Sequence, residues 1–159
     1  MAVNAGGTIY ASLLDRLENP PIAVLYQTVV QSIAHGTWGV ITFDSEIVDT
    51  YGGHSTSVNT SRYTCQYAGW YSVGGRAAFD INGTGSRGAR VHINGNYIRG
   101  AATLGGAGTL SGIPQTSHIL YLVPGDYVEI AGGQNSGVSL STANANEAAS
   151  YMYVEWIHA

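Results

Sequence analysis

From Ile22 onward, the chain alternates apolar and polar residues in short runs, and glycine-rich turn sequences interrupt these runs about every ten residues. Gly accounts for 22 of the 159 residues, and charged residues make up only 10%. Surface helices are normally rich in Glu, Lys and Arg, and glycine weakens helix interiors, so this composition excludes a helical bundle. Alternation broken by frequent turns is typical of a β-sandwich or barrel, and the length fits one such domain.

The alternating segments give ten candidate strands. Turn chemistry between them indicates antiparallel hairpins, because Asn-Gly, Gly-Gly and Pro-Gly-Asp supply the positive or fixed φ angles that tight turns need. The predicted turns are Asn82-Gly83, Asn94-Gly95, Pro124-Gly125-Asp126 and Gly132-Gly133. The predicted strands are Ala23–Ile33, Trp38–Asp44, Arg62–Gln66, Trp70–Ile81, Arg87–Asn94, Tyr97–Ala102, Ser117–Val123, Tyr127–Ala131, Gly137–Leu140 and Ala149–Ile157.

The N-terminal arm, residues 1–21, has a different pattern. Apolar residues recur there at helical spacing, which predicts one short helix over residues 9–18. Asn19-Pro20-Pro21 ends it, since a residue before proline avoids the α region. So short a helix is marginal in water, and its apolar face docks either on its own domain or on another chain. The candidates for such an anchor are Ile9, Tyr10, Leu13, Leu14 and Leu17.

Charge and cysteine content exclude several classes of function. The net charge is −4, and the six basic residues are all arginines that do not cluster, so no nucleic-acid partner is expected. The absence of lysine excludes a Walker P-loop and a Schiff-base lysine. Cys65 is the only cysteine and is expected to be a buried small hydrophobe. We find neither a secretion signal nor a run long enough to span a membrane, and expect no membrane partner.

Candidate catalytic motifs are weak. The string from Gly83 to Gly88 matches G-x-G-x-x-G, but the residues after it are typical of a strand, and a dinucleotide site needs a helix there. The five histidines lack metal-ligand spacing, although a cupin-like site assembled from distant strands stays open. Asp44 with Glu46 or Asp49 could pair as hydrolytic carboxylates, but turn roles are commoner. We therefore expect no enzyme, no cofactor and no catalytic or metal-binding residue.

Five motifs follow one another in a recognisable order: WGVITFDSEIVDT at 38–50, RYTCQYAGWYSVGGRAAFDI at 62–81, RVHINGNYI at 90–98, ILYLVPGDYVEIAGG at 119–133 and YMYVEWI at 151–157. In this order they resemble the globular-head family of complement C1q and its tumour-necrosis-factor-like relatives, from Pro21 to the end of the chain. The chain departs from that family in lacking a Gly-X-Y stalk and in having Asn59-Thr60-Ser61 where the family has a Thr-Gly turn.

The resemblance implies an all-β, ten-stranded jelly roll over residues 22–159, packed as a homotrimer with aromatic residues along the threefold axis. Low surface charge also favours association. Chosen by their aromatic character alone, the candidate trimer-interface residues are Trp38, Tyr67, Trp70, Tyr71, Tyr127 and Trp156.

The N-terminal segment ASLLDRLENPP at 11–21 and the FDSE…DT…H stretch at 43–54 resemble those of short forms of this domain that are virion proteins of tailed phages. The implied function is that of a non-enzymatic structural protein of a bacteriophage virion, made in the host cytoplasm. It would be a trimeric decoration or fibre head attached through its N-terminal segment to the major capsid protein or a tail protein. The alternative is recognition of host cell-surface glycans by exposed Tyr, Trp and Asn side chains.

Overall fold

Twelve β-strands and one short α-helix make up the regular structure of the described residues, 11–106 and 112–159 of this computed structural model. A 3-10 turn at Asn146–Ala148 precedes the last strand. The elements in chain order are α1 (Ala11–Glu18), β1 (Ile22–Tyr26), β2 (Ser32–Ile33), β3 (Thr37–Val40), β4 (Ser45–Asp49), β5 (Arg62–Thr64), β6 (Gly69–Arg76), β7 (Ser86–Ile93), β8 (Asn96–Gly106), β9 (Gln115–Leu122), β10 (Tyr127–Gln134), β11 (Leu140–Ser141) and β12 (Tyr151–His158).

Ten of these strands form two five-stranded antiparallel sheets. The terminal sheet, named for the first and last strands that it contains, has the order β4-β1-β12-β6-β9. The second sheet has the order β3-β10-β7-β8, with β5 also pairing with β10. The short strands β2 and β11 pair separately. The predicted all-β sandwich is therefore confirmed.

The core lies between the two sheets. Successive side chains of a strand point to opposite faces, so every second residue of the main strands enters the core. Tyr71 and Val73 of β6 and Met152 and Val154 of β12 point inward from the terminal sheet and are fully buried. The inward residues of β7 and β10 meet them from the second sheet. Cys65 is buried beside them at 2% exposure, as predicted, and burial raises the pKa of its thiol.

Two predicted turns are confirmed. Asn94 and Gly95 have φ angles of 50° and 78°, which is the type I′ geometry that joins β7 to β8 without splaying the strands. Gly125, between β9 and β10, has φ 94°, and the Asp126 N–H donates to the Val123 carbonyl at 3.0 Å. Positive φ is the reason that glycine is needed at positions 95 and 125.

The predicted turn at Gly132-Gly133 is wrong, because both residues lie inside β10. A Cβ at Gly132 would lie 2.8 Å from the Ala77 Cβ, and one at Gly133 would lie 2.6 Å from the indole of Trp38. These glycines provide space for close packing on the two faces of the strand rather than freedom of φ. Sequence alone does not separate the two uses of a Gly-Gly pair.

The predicted strand Ala23–Ile33 is two strands, because the chain bends between β1 and β2. The Asp44 carboxylate holds this bend, accepting hydrogen bonds from the Thr28 N–H at 2.7 Å, the Val29 N–H at 3.2 Å and the Thr28 hydroxyl. Partial burial raises the pKa of Asp44, but these hydrogen bonds outweigh it and leave the pKa below its ordinary value. The role of Asp44 is therefore to stabilise the bend between β1 and β2.

The sequence prediction also missed β4, which is an edge strand with three acidic or polar members. Its Ile47 is 75% exposed and its alternation is weak, so period-two analysis did not detect it. The predicted segment Gly137–Leu140 contributes only the start of β11.

The G-x-G-x-x-G string leads into β7, as its sequence predicted. The Arg87 side chain is buried and binds the preceding loop, with Nη1 donating to the Thr84 carbonyl and Nη2 to the Asn82 carbonyl, each at 3.0 Å. The buried Arg87 side chain therefore holds the loop in place through its carbonyl groups. No helix N-terminus follows it to receive a phosphate.

Helix α1 ends at Glu18, where the proline signal places its end. Ile9 and Tyr10 lie outside the described residues, and so does the side chain of Leu13. Within residues 11–106 and 112–159, no helix has the length and hydropathy that a membrane crossing requires.

Replacing Gly132 by Ala tests the close approach of the sheets. The added methyl group would contact Ala77 and Phe79, and overpacking of this kind costs about 1–3 kcal/mol of unfolding free energy. Gly83→Ala is the matched control, because a Cβ at Gly83 meets nothing within 4 Å. Chemical denaturation should show a loss for Gly132→Ala alone. Equal stabilities of the two variants would contradict this packing.

Candidate interaction surface

The face of the terminal sheet that points away from the core is rich in apolar and aromatic side chains. In β6 and β9 the residues that alternate with the buried ones include Trp70, Ile119 and Tyr121, which are 40%, 58% and 52% exposed. We call this surface the outer terminal face. Its members are Val24, Tyr26, Ile47, Trp70, Ser72, Ser117, Ile119, Tyr121, Tyr151, Tyr153, Glu155 and Ile157.

An aromatic pair lies at one end of the outer terminal face. Trp70 and Tyr121 are opposite each other in the register of β6 and β9, and their rings meet edge to face at 5.6 Å and 72°. Val123 and Ile157, 45% and 44% exposed, extend the apolar area beside them. A cluster of large exposed apolar side chains marks an interaction surface more often than scattered single residues do.

A tyrosine ridge runs along β12. Tyr153 lies over Gly74 of the neighbouring strand, where a Cβ would come within 2.6 Å of the Tyr153 ring. The rings of Tyr151 and Tyr153 stack at 6.5 Å, and the Arg76 guanidinium lies 5.0 Å from the Tyr151 ring centroid. Gly74 thus lets a large aromatic ring lie flat on the sheet, which gives the ridge a fixed shape.

Two hollows border this ridge. One, of about 390 Å³, is mainly apolar and is lined by Val24, Leu25, Tyr26, Ile47, Arg76, Ala149 and Tyr151. The other, of about 330 Å³, is more polar and is lined by Gly75, Gly100, Ala102, Thr103, Gln115, Thr116, Ser117, Tyr151 and Tyr153. Because Tyr151 borders both hollows, the surface offers a projecting ridge and complementary recesses side by side.

Charge is sparse on this face. Glu155 is exposed there, and the Arg76 side chain is committed to the protein, since its Nε donates to the Ala149 carbonyl at 2.7 Å. Interface centres are depleted of charged residues and enriched in Tyr and Trp. The outer terminal face has this composition.

Of the six predicted interface residues, Trp70 lies on the outer terminal face, while Tyr71 and Trp156 are corrected to core residues. Tyr71 is fully buried and its hydroxyl donates to the Tyr67 carbonyl at 2.7 Å. Trp156 is 5% exposed and its indole N–H donates to the Ala68 carbonyl at 3.5 Å. Aromatic content alone does not distinguish the two faces of a strand.

The other three predicted residues lie elsewhere. Trp38 and Tyr127 are on the second sheet, with the guanidinium groups of Arg90 and Arg62 at 4.2 and 4.0 Å from their ring centroids. Tyr67 follows β5 and supports helix α1. The terminal sheet brings only one of the six candidates to its outer face.

Helix α1 rests on a pair of tyrosines. Arg16 lies 4.8 Å from the Tyr67 ring centroid, and Tyr67 meets Tyr51 edge to face at 5.0 Å. Leu14 and Leu17 are 43% and 62% exposed, so these two predicted anchor residues present apolar surface to the solvent.

Ile119, Tyr121 and Tyr153 were missed by the sequence analysis, although a signal was present. The run Ile119–Val123 is continuously apolar instead of alternating, and continuous runs are typical of strands covered on both faces. Its Leu122 is buried while Tyr121 is exposed. The run therefore indicates a strand with apolar side chains on both faces.

The acidic residues considered above as possible paired carboxylates, Asp44, Glu46 and Asp49, make loop contacts. Asp49 accepts hydrogen bonds from the His54 N–H at 2.8 Å and the Tyr51 N–H at 3.3 Å, and Glu46 faces His54 Nδ1 at 3.3 Å. These contacts fix the loop between β4 and β5. Among the described residues, no group of three or more His, Cys, Asp or Glu is placed to hold a metal ion.

No protein-family model matches the sequence, and no curated protein matches it. Solved structures do resemble the fold. The globular domain of zebrafish complement 1qA protein has a TM-score of 0.59 at 14% identity, over 87% of this chain and 96% of that one. Murine APRIL at pH 5.0 has a TM-score of 0.63 at 11% identity, over 85% and 98% of the two chains. Eiger TNF from S. frugiperda has 0.62 at 10% identity, over 87% and 95%.

These similarities span nearly the whole of each compared domain. At such low identity they establish the fold, which is a C1q/TNF-like jelly roll. The fold expected from the order of the sequence motifs is thereby confirmed.

Proposed function

We propose that this chain, which has a C1q/TNF-like jelly-roll fold, is a non-enzymatic structural protein that assembles as a homotrimer through its outer terminal face. The observation that carries the proposal is that the terminal sheet is apolar on both faces and its own core covers only one of them. Exposed apolar surface of this extent is unfavourable in water, and a second copy of the chain would cover it.

Several properties favour a copy of the same chain as the occupant. The ridge and the hollows lie on one surface, so the ridge of one copy could fit a hollow of another copy. Charged residues are 10% of the chain and its net charge is −4, so repulsion between copies is weak. The family that the sequence resembles packs as compact homotrimers, which favours three copies rather than two.

We further propose that the trimer belongs to a bacteriophage virion and attaches to the major capsid protein or a tail protein through the N-terminal arm. In support, α1 lies outside both sheets and exposes Leu14 and Leu17. An eight-residue helix with exposed leucines gains stability from a partner surface. The segment ASLLDRLENPP at 11–21 resembles that of short phage virion proteins, which favours another virion protein as the partner.

Absolute mass by light scattering after size-exclusion chromatography tests the trimer. The 16.7 kDa chain should give a particle of about 50 kDa. Ile119→Glu should reduce the mass toward that of the monomer, because each copy would bury a carboxylate without a partner. Ile81→Glu is the matched control, since Ile81 is 63% exposed and lies outside the terminal sheet. A monomeric parent protein, or an Ile119→Glu trimer, would contradict the proposal.

Co-sedimentation with phage particles that lack this protein tests the anchor. The double variant Leu14→Ser, Leu17→Ser should lose particle association while keeping the mass of the trimer. The control is Val29→Ser, Val30→Ser, which also removes two exposed apolar side chains, 67% and 46% exposed, from a loop of the sandwich. Equal sedimentation of the two double variants would contradict anchoring by α1, and failure of the parent protein to bind would contradict the virion role.

A further inference from the structure

Most arginines in this structure lie on aromatic rings rather than beside carboxylates. Within residues 11–106 and 112–159, the only ion pair closer than 4.0 Å is between His54 and Glu46. Four arginines lie over rings instead: Arg16 over Tyr67, Arg62 over Tyr127, Arg76 over Tyr151 and Arg90 over Trp38. A guanidinium held in this way keeps its charge and is oriented before any anion arrives.

Arg90 contacts two aromatic rings and lies on the outward face of the second sheet. Its guanidinium is 4.2 Å from the Trp38 ring centroid and 5.3 Å from that of Tyr97. Trp38 lies on a floor of two glycines, because a Cβ at either Gly88 or Gly133 would come within 2.6 Å of the indole. Trp38 and the Arg90 guanidinium therefore stack against the sheet backbone. Tyr97, which is 72% exposed, lies on the solvent side of this stack.

His92 fixes the direction of the Arg90 guanidinium. Arg90 Nε donates to His92 Nε2 at 2.9 Å, so the imidazole is neutral and carries its proton on Nδ1. Burial and the Arg90 charge lower the pKa of His92, while Glu129 opposes this effect. With Nε engaged, the two terminal amino groups of Arg90 have no hydrogen-bond partner among the described residues and are left for a ligand.

A hollow of about 280 Å³ lies beside Trp38 on the same face. It is lined by Gly36, Thr37, Trp38, Ser86, Arg87, Gly88, Gly133, Gln134 and Asn135. The Asn135 Oδ1 accepts hydrogen bonds from the Ser86 N–H and from the Ser86 hydroxyl, the latter at 3.1 Å. The amide nitrogen of Asn135 has no partner in the described part of the chain, so it remains a donor for a ligand hydroxyl.

We propose that this strip of the second sheet, formed by Trp38, Arg90, Tyr97 and Asn135, binds an acidic oligosaccharide. Arg90 would hold a sugar carboxylate through its terminal amino groups, and Tyr97 would cover a sugar ring. The hollow beside Trp38 would take a neighbouring sugar unit, whose hydroxyl groups would meet Asn135. This site goes beyond the structural role proposed above and lies on the opposite side of the sandwich, so a trimer formed through the outer terminal face leaves it open.

The local charge favours a sparsely charged glycan over a nucleic acid. Glu129 is 5% exposed, accepts a hydrogen bond from the Ser61 hydroxyl at 2.7 Å, and is opposite His92 in the sheet register. Its carboxylate reduces the positive charge around Arg62 and Arg90. Binding to a phosphate backbone needs many cations, whereas isolated carboxylates on a sugar chain need one arginine each.

Isothermal titration calorimetry on the full chain tests this site with two probes of equal length. One is a hexasaccharide of alternating glucuronate and N-acetylglucosamine, and the other is the neutral hexamer of N-acetylglucosamine. The acidic hexamer should bind at least about tenfold more tightly. Arg90→Gln should weaken that binding about tenfold, and Arg16→Gln, which also removes one ring-stacked guanidinium, should leave it unchanged.

Tyr97→Ala provides a second variant if Arg90→Gln fails to fold, because Tyr97 is 72% exposed and its loss should weaken binding without unfolding the sheet. Any one of three results would overturn the inference: no binding of the acidic hexamer at millimolar concentration, equal binding of both hexamers, or parent-like binding by the folded variants. Complete displacement by equimolar inorganic phosphate would also overturn it, since the site would then be a simple anion site. The mass of each sample is measured in parallel, so a trimer without glycan binding rejects this inference alone.

Discussion

The terminal sheet carries large apolar side chains on both of its faces. Both the packing of the sandwich and its proposed assembly follow from this property. Its inward face, with Tyr71, Val73, Met152 and Val154, is buried against the second sheet. Its outward face repeats the same chemistry with Trp70, Ile119, Tyr121 and the tyrosine ridge of β12. Covering both faces of such a sheet is favourable in water, which supports the proposal that further copies of the chain cover the outward face.

Aromatic rings and backbone carbonyls, rather than carboxylates, hold most arginines of this chain. Although ten acidic residues outnumber the six arginines, four arginines lie over Tyr or Trp rings and Arg87 binds backbone carbonyls. Glycines make these contacts geometrically possible: Gly74 accommodates Tyr153, and Gly88 and Gly133 accommodate Trp38. The high glycine content that first indicated turns thus also provides flat sheet surfaces on which aromatic rings lie.

The sequence predicts the fold well and the interaction surface poorly, for a physical reason. Alternation and Asn-Gly or Pro-Gly chemistry depend on local geometry, so the main strands and the turns at Asn94-Gly95 and Gly125 could be identified. The face to which a given aromatic residue points depends on register and sheet order, which are long-range properties. Trp70 and Tyr71 are neighbours in sequence, yet one is on the surface and the other in the core. The continuous apolar run Ile119–Val123 was the local signal for a second covered face.

Cysteine labelling can show whether the outer terminal face becomes covered as copies associate. Ser117→Cys places a thiol on that face, Ser57→Cys places one on an exposed loop, and the native Cys65 is buried at 2% exposure. Maleimide labelling would be followed over a range of protein concentrations. Association through the outer terminal face should slow labelling of Ser117→Cys as concentration rises and leave labelling of Ser57→Cys unchanged. Labelling of Ser117→Cys as fast as that of Ser57→Cys, in samples that contain trimer, would contradict it.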